Sequence, residues 1–175
     1  MNNYTLSLDK LSRNITLAVA CLGAIILIAG LFAYVKSGKE IMVLFGALLG
    51  PFIIGVLIIA MYLLMPRSVQ TGSTGITILR KISPVVIPFA DLKSIRMAET
   101  EEMKGVIRTF GNGGLFGYTG LYYNKKLGSM TWYCTQRKNY IIIDKKDNKR
   151  IVITPDQPEE FIRDIRQFIS DTDGK

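Results

Sequence analysis

ITLAVACLGAIILIAGLFAYV (15–35) and IMVLFGALLGPFIIGVLIIAMYLLM (41–65) are uncharged runs of 21 and 25 residues, separated by Lys36-Ser37-Gly38-Lys39-Glu40. A hydrocarbon layer about 30 Å thick takes about 20 helical residues to cross. Backbone amides in lipid must find partners within their own segment, so each run is expected to be a helix. Five residues between the runs leave room only for a tight reversal. The reading is a transmembrane helical hairpin over 15–66. Two buried helices of a water-soluble domain are the poorer alternative, because helices without a polar face must be surrounded on all sides.

Outward from the hairpin, residues 1–14 read as a short cytoplasmic lead, 67–74 as a Ser/Thr/Gly-rich linker, and 75–171 as one soluble domain. Ala18-Val19-Ala20-Cys21 faintly resembles a lipoprotein cleavage site, but the apolar run continues well past it. Cys21 is therefore read as a small membrane-helix residue. Lys10, Arg13, Arg67, Arg80 and Lys81 flank the termini side, against Lys36 and Lys39 in the connector. That imbalance places both termini in the cytoplasm, and the expected location is the inner (cytoplasmic) membrane with two spans. Neither span carries an ionisable residue, which argues against a pump, channel or transporter. Gly46 and Gly50 form a small-xxx-small pattern suited to close packing of the two helices.

The chain carries a net charge of +8, and residues 67–175 hold 18 Lys+Arg against 12 Asp+Glu. Such a balance favours anionic surfaces. Seven segments of this part read as strands: 76–80, 85–89, 91–97, 106–110, 128–135, 139–145 and 150–154. Asp156 with Glu159 is a capping-box pattern, and Phe161, Ile162, Ile165, Phe168 and Ile169 form one stripe of a closing amphipathic helix. The class is α+β, an antiparallel barrel or sandwich with a helix over one open end.

Residues 111–120 hold Gly111, Gly113, Gly114, Gly117 and Gly120. A dinucleotide fingerprint fails because Phe116 stands where the third glycine is needed, and the chain has no G-K-[ST] triplet. The loop is read as structural, its glycines supplying positive φ. No histidine is present to activate Cys134, and each carboxylate has an ordinary role in a turn or a helix start. No catalytic residue, metal ligand or cofactor is expected. For binding, Lys125 and Lys126 with Tyr122, Tyr123 and Trp132, joined by Arg137 and Lys138, are the candidate aromatic-basic patch. Basic side chains near an anionic leaflet each contribute about 1 kcal/mol. No basic stripe or motif suggests nucleic acid.

The run Arg108-Thr109-Phe110-Gly111-Asn112-Gly113-Gly114-Leu115-Phe116-Gly117-Tyr118-Thr119-Gly120, with Asn124, Leu127-Gly128, Tyr133-Cys134-Thr135 and Ile153-Thr154-Pro155-Asp156-Gln157-Pro158-Glu159-Glu160-Phe161, resembles bacterial pleckstrin-homology-like (PH-like) domains. The resemblance covers Gly75 to Ser170. It implies a seven-stranded, strongly bent antiparallel β-barrel plugged by a C-terminal helix, and a binding scaffold in place of a catalytic site. The expected function is a membrane-anchored module presenting a protein- or anionic-lipid-binding surface at the cytoplasmic face. A subunit of a larger, oligomeric membrane complex is the alternative, and a phosphate- or nucleotide-using enzyme built on the glycine loop is a more distant one.

Overall fold

A computed structural model describes residues 2–173. Asp9 opens the first helix, α1 (Lys10–Lys36): its carboxylate accepts from the Ser12 amide at 2.7 Å, satisfying one of the donors left free at a helix start. After the turn, α2 (Ile41–Leu64) runs back and continues unbroken through Pro51. Ser12 and Gly23 in α1 and Ala47 in α2 are the residues of this pair that are buried. Phe32, Met42, Phe45 and Phe52 are among many large apolar side chains more than 60% exposed. Helices of 27 and 24 residues with apolar exteriors are long and apolar enough to cross a membrane, and they fit a transmembrane hairpin. The closest approach is at Gly30, where an added Cβ would lie 2.6 Å from that of Ala47. Gly50 meets Ile26, whereas Gly46 faces open space. The crossing therefore depends on Gly30 more than on the Gly46–Gly50 pair.

The remainder forms two sheets. One has the order β1 (Asn2–Thr5), β2 (Pro66–Thr71), β3 (Gly75–Arg80), β4 (Val85–Pro88). The other contains β5 (Leu92–Met97), β6 (Ile107–Gly114), β7 (Gly117–Asn124), β8 (Gly128–Cys134), β9 (Ile141–Lys145) and β10 (Arg150–Ile153), in the order β5-β9-β10-β8-β7-β6. Among the described residues no ladder joins the sheets, so the expected closed barrel is an open pair, and ten strands replace the expected seven. One pair, β8 with β10, is parallel.

The three additional strands each have a physical reason. Residues 2–5 look like a featureless lead, yet they pair antiparallel with β2 from Asn2 opposite Thr71 to Thr5 opposite Ser68. The segment expected as a linker, 67–74, is mostly β2 itself, with Val69 and Thr71 fully buried. The glycine block is a hairpin and not a loop: β6 and β7 pair through Gly111 opposite Gly120 to Gly114 opposite Gly117. Its turn is Leu115-Phe116, with Phe116 at φ +56°.

One core lies between the sheets and under the C-terminal helix α3 (Pro158–Asp173), where Phe161 and Ile165 are fully buried against Ile76, Ile78, Ile141 and Ile143. The Phe168 ring stacks on Phe89 at 6.1 Å. Ile169, expected on the same stripe, lies outside the residues whose side chains are described. Tyr4 of β1 packs edge-on to Phe161 at 5.1 Å and donates its hydroxyl hydrogen bond to Asp164. Asp156 accepts from the Ser7 hydroxyl at 2.6 Å, the Thr5 hydroxyl at 2.8 Å and the Ser7 amide at 3.1 Å. The chain ahead of α1 is thus stitched to the element that ends the domain.

These contacts fix a pH response. Hydrogen bonds from Tyr4 and Asn2 hold the Asp164 carboxyl below its ordinary value. Burial pushes the Asp156 carboxyl up, but the hydrogen bonds from Ser7 and Thr5 outweigh it and leave a lowered value. Burial, then the Asp164 carboxylate, raises the Tyr4 phenol from 10.0 to about 12. Depressed carboxylates stabilise the fold above their unfolded value of 3.8 and lose that contribution as pH falls through the folded values. The raised phenol contributes fully below pH 10.0 and loses its contribution as pH rises toward about 12. The protection factors of the β1 and β2 amides, their exchange rates set against the intrinsic rate at each pH, should therefore be highest near neutral pH and fall below pH 3.8 and above pH 10. A flat profile would contradict this assignment.

Candidate binding site

On the face of β7 and β8 turned away from the main core, a second apolar cluster gathers Tyr118, Tyr122, Met130, Trp132, Cys134, Ile142 and Val152. Strand alternation places Tyr118 and Tyr122 on this face. The segment 98–106 folds over the cluster and walls a cavity of about 380 Å³, lined by Thr100, Met103, Lys104, Val106, Tyr118, Tyr122, Trp132, Arg137 and Tyr140. That segment is well braced. Arg96 grips Glu102 with two bonds of 2.6 and 2.9 Å, and the Asn124 amide donates to the Glu102 and Lys104 carbonyls at 2.7 and 2.9 Å.

Aromatic rings dominate the walls. Tyr122 stacks on Trp132 at 4.1 Å between centroids, and Trp132 meets Tyr140 at 5.2 Å. The Arg137 guanidinium lies 4.9 Å from the Tyr118 ring centre, within cation–π range. The Tyr118 hydroxyl donates to Asp9 at 3.1 Å, so one end of the cavity touches the start of α1. The buried indole N–H of Trp132 has no hydrogen-bond partner among the described residues. Leaving such a donor unpaired costs about 1–3 kcal/mol.

Burial governs the titrating groups here. It raises Tyr122 to about 12, and with the adjacent Asp9 carboxylate it does the same for Tyr118. Tyr140 is also raised, and burial lifts the Cys134 thiol well above its ordinary range. At neutral pH these groups are phenols and a thiol, fit to donate hydrogen bonds and unsuited to act as bases or nucleophiles.

The patch expected from sequence is partly assembled. Tyr122, Trp132 and Arg137 line the cavity. Lys126 donates to the Glu101 carbonyl at 3.2 Å, at the segment that walls it. Lys125 is exposed on the β7–β8 turn beside Lys126, and Lys138 is exposed next to Arg137. Tyr123 is on the opposite face of β7. Tyr118, Tyr140 and the 98–106 wall were missing from the sequence reading. Tyr118 was hidden inside the glycine block, and the only earlier sign of Tyr140 was its place at the start of an apolar strand.

The glycines lie on the neighbouring hairpin. Gly111, Gly114, Gly117 and Gly120 all have positive φ, and the Arg108 guanidinium lies across Gly113. At the tip, the Ser12 hydroxyl of α1 donates to the Gly114 carbonyl at 2.8 Å, and the Phe116 amide donates to the Thr16 hydroxyl at 3.0 Å. The Phe116 ring meets Tyr62 of α2 at 5.4 Å. Asn112 holds the turn by donating to the Gly117 carbonyl at 3.0 Å and accepting from the Leu115 amide at 2.9 Å. The glycine block therefore grips both α1 and α2.

No curated protein and no solved structure matches the chain. Residues 67–169 match the profile of the family described as bacterial PH domain, which spans β2 through most of α3 and includes every residue lining the cavity. With well over half of its length inside that match, the chain belongs to the bacterial PH domain family, whose members are generally non-enzymatic binding modules.

Proposed function

We propose that this protein is a membrane-anchored adaptor. Its helical hairpin spans the cytoplasmic membrane with both termini inside, and its PH domain holds a binding cavity at a fixed attitude to the cytoplasmic surface. The observation that carries this reading is the triple attachment of the domain to the helix ends. Four residues join β1 to α1, one joins α2 to β2, and the β6–β7 tip bonds to Ser12 and Thr16. A domain needed only as a tethered ligand trap could hang on a flexible linker. This one is braced.

The cavity suits a segment of a protein partner that carries an acidic group beside an apolar or aromatic one. Aromatic walls supply contact area at little entropic cost, and Arg137 offers a fork of donors for a carboxylate. Lys104 is a weaker contributor, since its ammonium already pairs with Glu101 at 2.6 Å. Anionic lipid head groups are a secondary ligand for Lys125, Lys126 and Lys138.

The test is recovery of crosslinked partners from native membranes with the full chain and with a variant carrying Arg137→Glu and Lys104→Glu. Both side chains are exposed, so folding should persist. Reversing the charges should cost at least about 1.4 kcal/mol of binding, lowering recovery about tenfold. Equal recovery of every crosslinked species would refute the assignment of the cavity.

A further inference from the structure

The other face of the β6–β7 hairpin is apolar and uncovered. Ile107 pairs with Tyr123 and Phe110 with Leu121 in the β6–β7 register, and they are 59%, 41%, 74% and 48% exposed. The ladder shifts between Arg108 and Phe110. The extra residue puts Ile107 and Phe110, three apart, on one face of the sheet, because a bulge reverses the alternation. Four large apolar side chains in one patch mark an interaction surface in a soluble domain.

What covers it is indicated by its neighbours. Phe110, Gly111 and Gly120 share a groove of about 470 Å³ with Met61 and Leu64, from the last turn of α2. Asn112, Thr119 and Thr131 also border this groove, but most of its exposed surface is carbon, so the apolar face continues toward the surface of α2. The charged side chain in the groove is Arg80, held by the Ser83 carbonyl at 2.9 Å and lying over Tyr133. Beside it, the Lys81 ammonium sits 3.8 Å from the Tyr62 ring centre, with Arg67 on the same ring. An apolar face rimmed by Arg67, Arg80 and Lys81 has the chemistry of a phospholipid layer: acyl chains against the carbon, phosphates against the cations.

We propose that the exposed face of the β6–β7 hairpin, centred on Phe110 and Leu121, lies in the interfacial layer of the bilayer, so that the PH domain is partly immersed as well as anchored. The occupant of the groove is phospholipid. This rests on the membrane-anchored reading above. It adds a lipid contact through the uncovered face of the second sheet, separate from the Lys125-Lys126 turn. The aromatic cavity, on the opposite face of the same strands, is then turned toward the cytoplasm.

The experiment uses the full chain with Cys21→Ser, reconstituted in phosphatidylcholine–phosphatidylglycerol vesicles that contain nitroxide-labelled acyl chains. An environment-sensitive fluorophore is attached at Phe110→Cys, Leu121→Cys, Leu49→Cys or Asn148→Cys, one at a time. Leu49, in the middle of α2, reports anchoring, and Asn148, in the β9–β10 turn, reports water. Labels at Leu49, Phe110 and Leu121 should lose most of their emission to the nitroxides, while the Asn148 label keeps its own. Quenching at Leu49 with none at Phe110 and Leu121 would overturn the immersion and leave the anchoring intact. No quenching at Leu49 would overturn the anchoring itself. Blue-shifted but unquenched emission at Phe110 and Leu121 would mean that protein covers this face, which also overturns the proposal.

Discussion

Tyr4→Ala lowers the stability of the PH domain by about 3–5 kcal/mol, the range for removing a large buried aromatic side chain. Tyr4 stands six residues before α1, in a segment that reads as a lead. It is nonetheless 5% exposed, wedged against Phe161 and bonded to Asp164. Its loss empties part of the main core and leaves Asp164 without its phenol. Tyr4→Phe keeps the packing and should cost less, about 1.5–3 kcal/mol, the contribution of a hydrogen bond to a charged group. The measurement is thermal or denaturant unfolding of the detergent-solubilised full chain, followed by near-ultraviolet circular dichroism. Equal stability of wild type and Tyr4→Ala would mean that β1 is not part of the cooperative unit.

The consequence reaches beyond one side chain. β1 precedes the helical hairpin in the chain, β2 follows it, and the two pair over four residues, so the sheet closes only once both helices have reversed. Folding of the domain and formation of the hairpin are therefore linked, and a fragment beginning at Gly75 lacks two of the four strands of its first sheet.

Gly120→Val should be as damaging, for a different reason. Gly120 has φ +125°, and a Cβ there would sit 2.4 Å from the Phe110 carbonyl oxygen and 2.8 Å from the Gly111 Cα. Both obstacles are backbone and cannot swing aside. Strain in this region costs about 1–3 kcal/mol for a residue with a side chain, and displacing the paired strand adds to it. A loss of about 3–5 kcal/mol is expected, together with release of the hairpin tip from Ser12 and Thr16. Gly72→Val is the control: Gly72 has no heavy atom within 4 Å of a built Cβ and should change stability by no more than about 0.5 kcal/mol. Matching effects at the two glycines would show that Gly120 is replaceable and that the close approach of β6 and β7 is not required.

Local pattern determined much of this protein. The two uncharged runs dictated two long helices, because nothing in their sequence could face water. The seven apolar segments beyond Gly75 are all strands, and the Phe161–Ile165 stripe is a buried helix face, since alternation and helical periodicity are properties of neighbouring residues. The Arg108–Gly120 and Ile153–Phe161 runs carried the family resemblance for the same reason.

Tertiary structure decided the rest. Asn2–Thr5 and Pro66–Thr71 have no strand signal of their own; β1 becomes a strand by pairing with β2 across a gap of some sixty residues, and β2 by lying between β1 and β3. The glycines of 111–120 read as a loop because glycine usually breaks a ladder. Here they permit one, since only residues without a Cβ let β6 and β7 come this close at positive φ. Tyr118, Tyr122, Trp132, Tyr140 and Arg137 converge on one cavity through strand pairing and a folded-over segment. Periodicity could divide Tyr122 from Tyr123, but which face would hold the cavity and which would remain open depended on how the two sheets and the two long apolar helices came together.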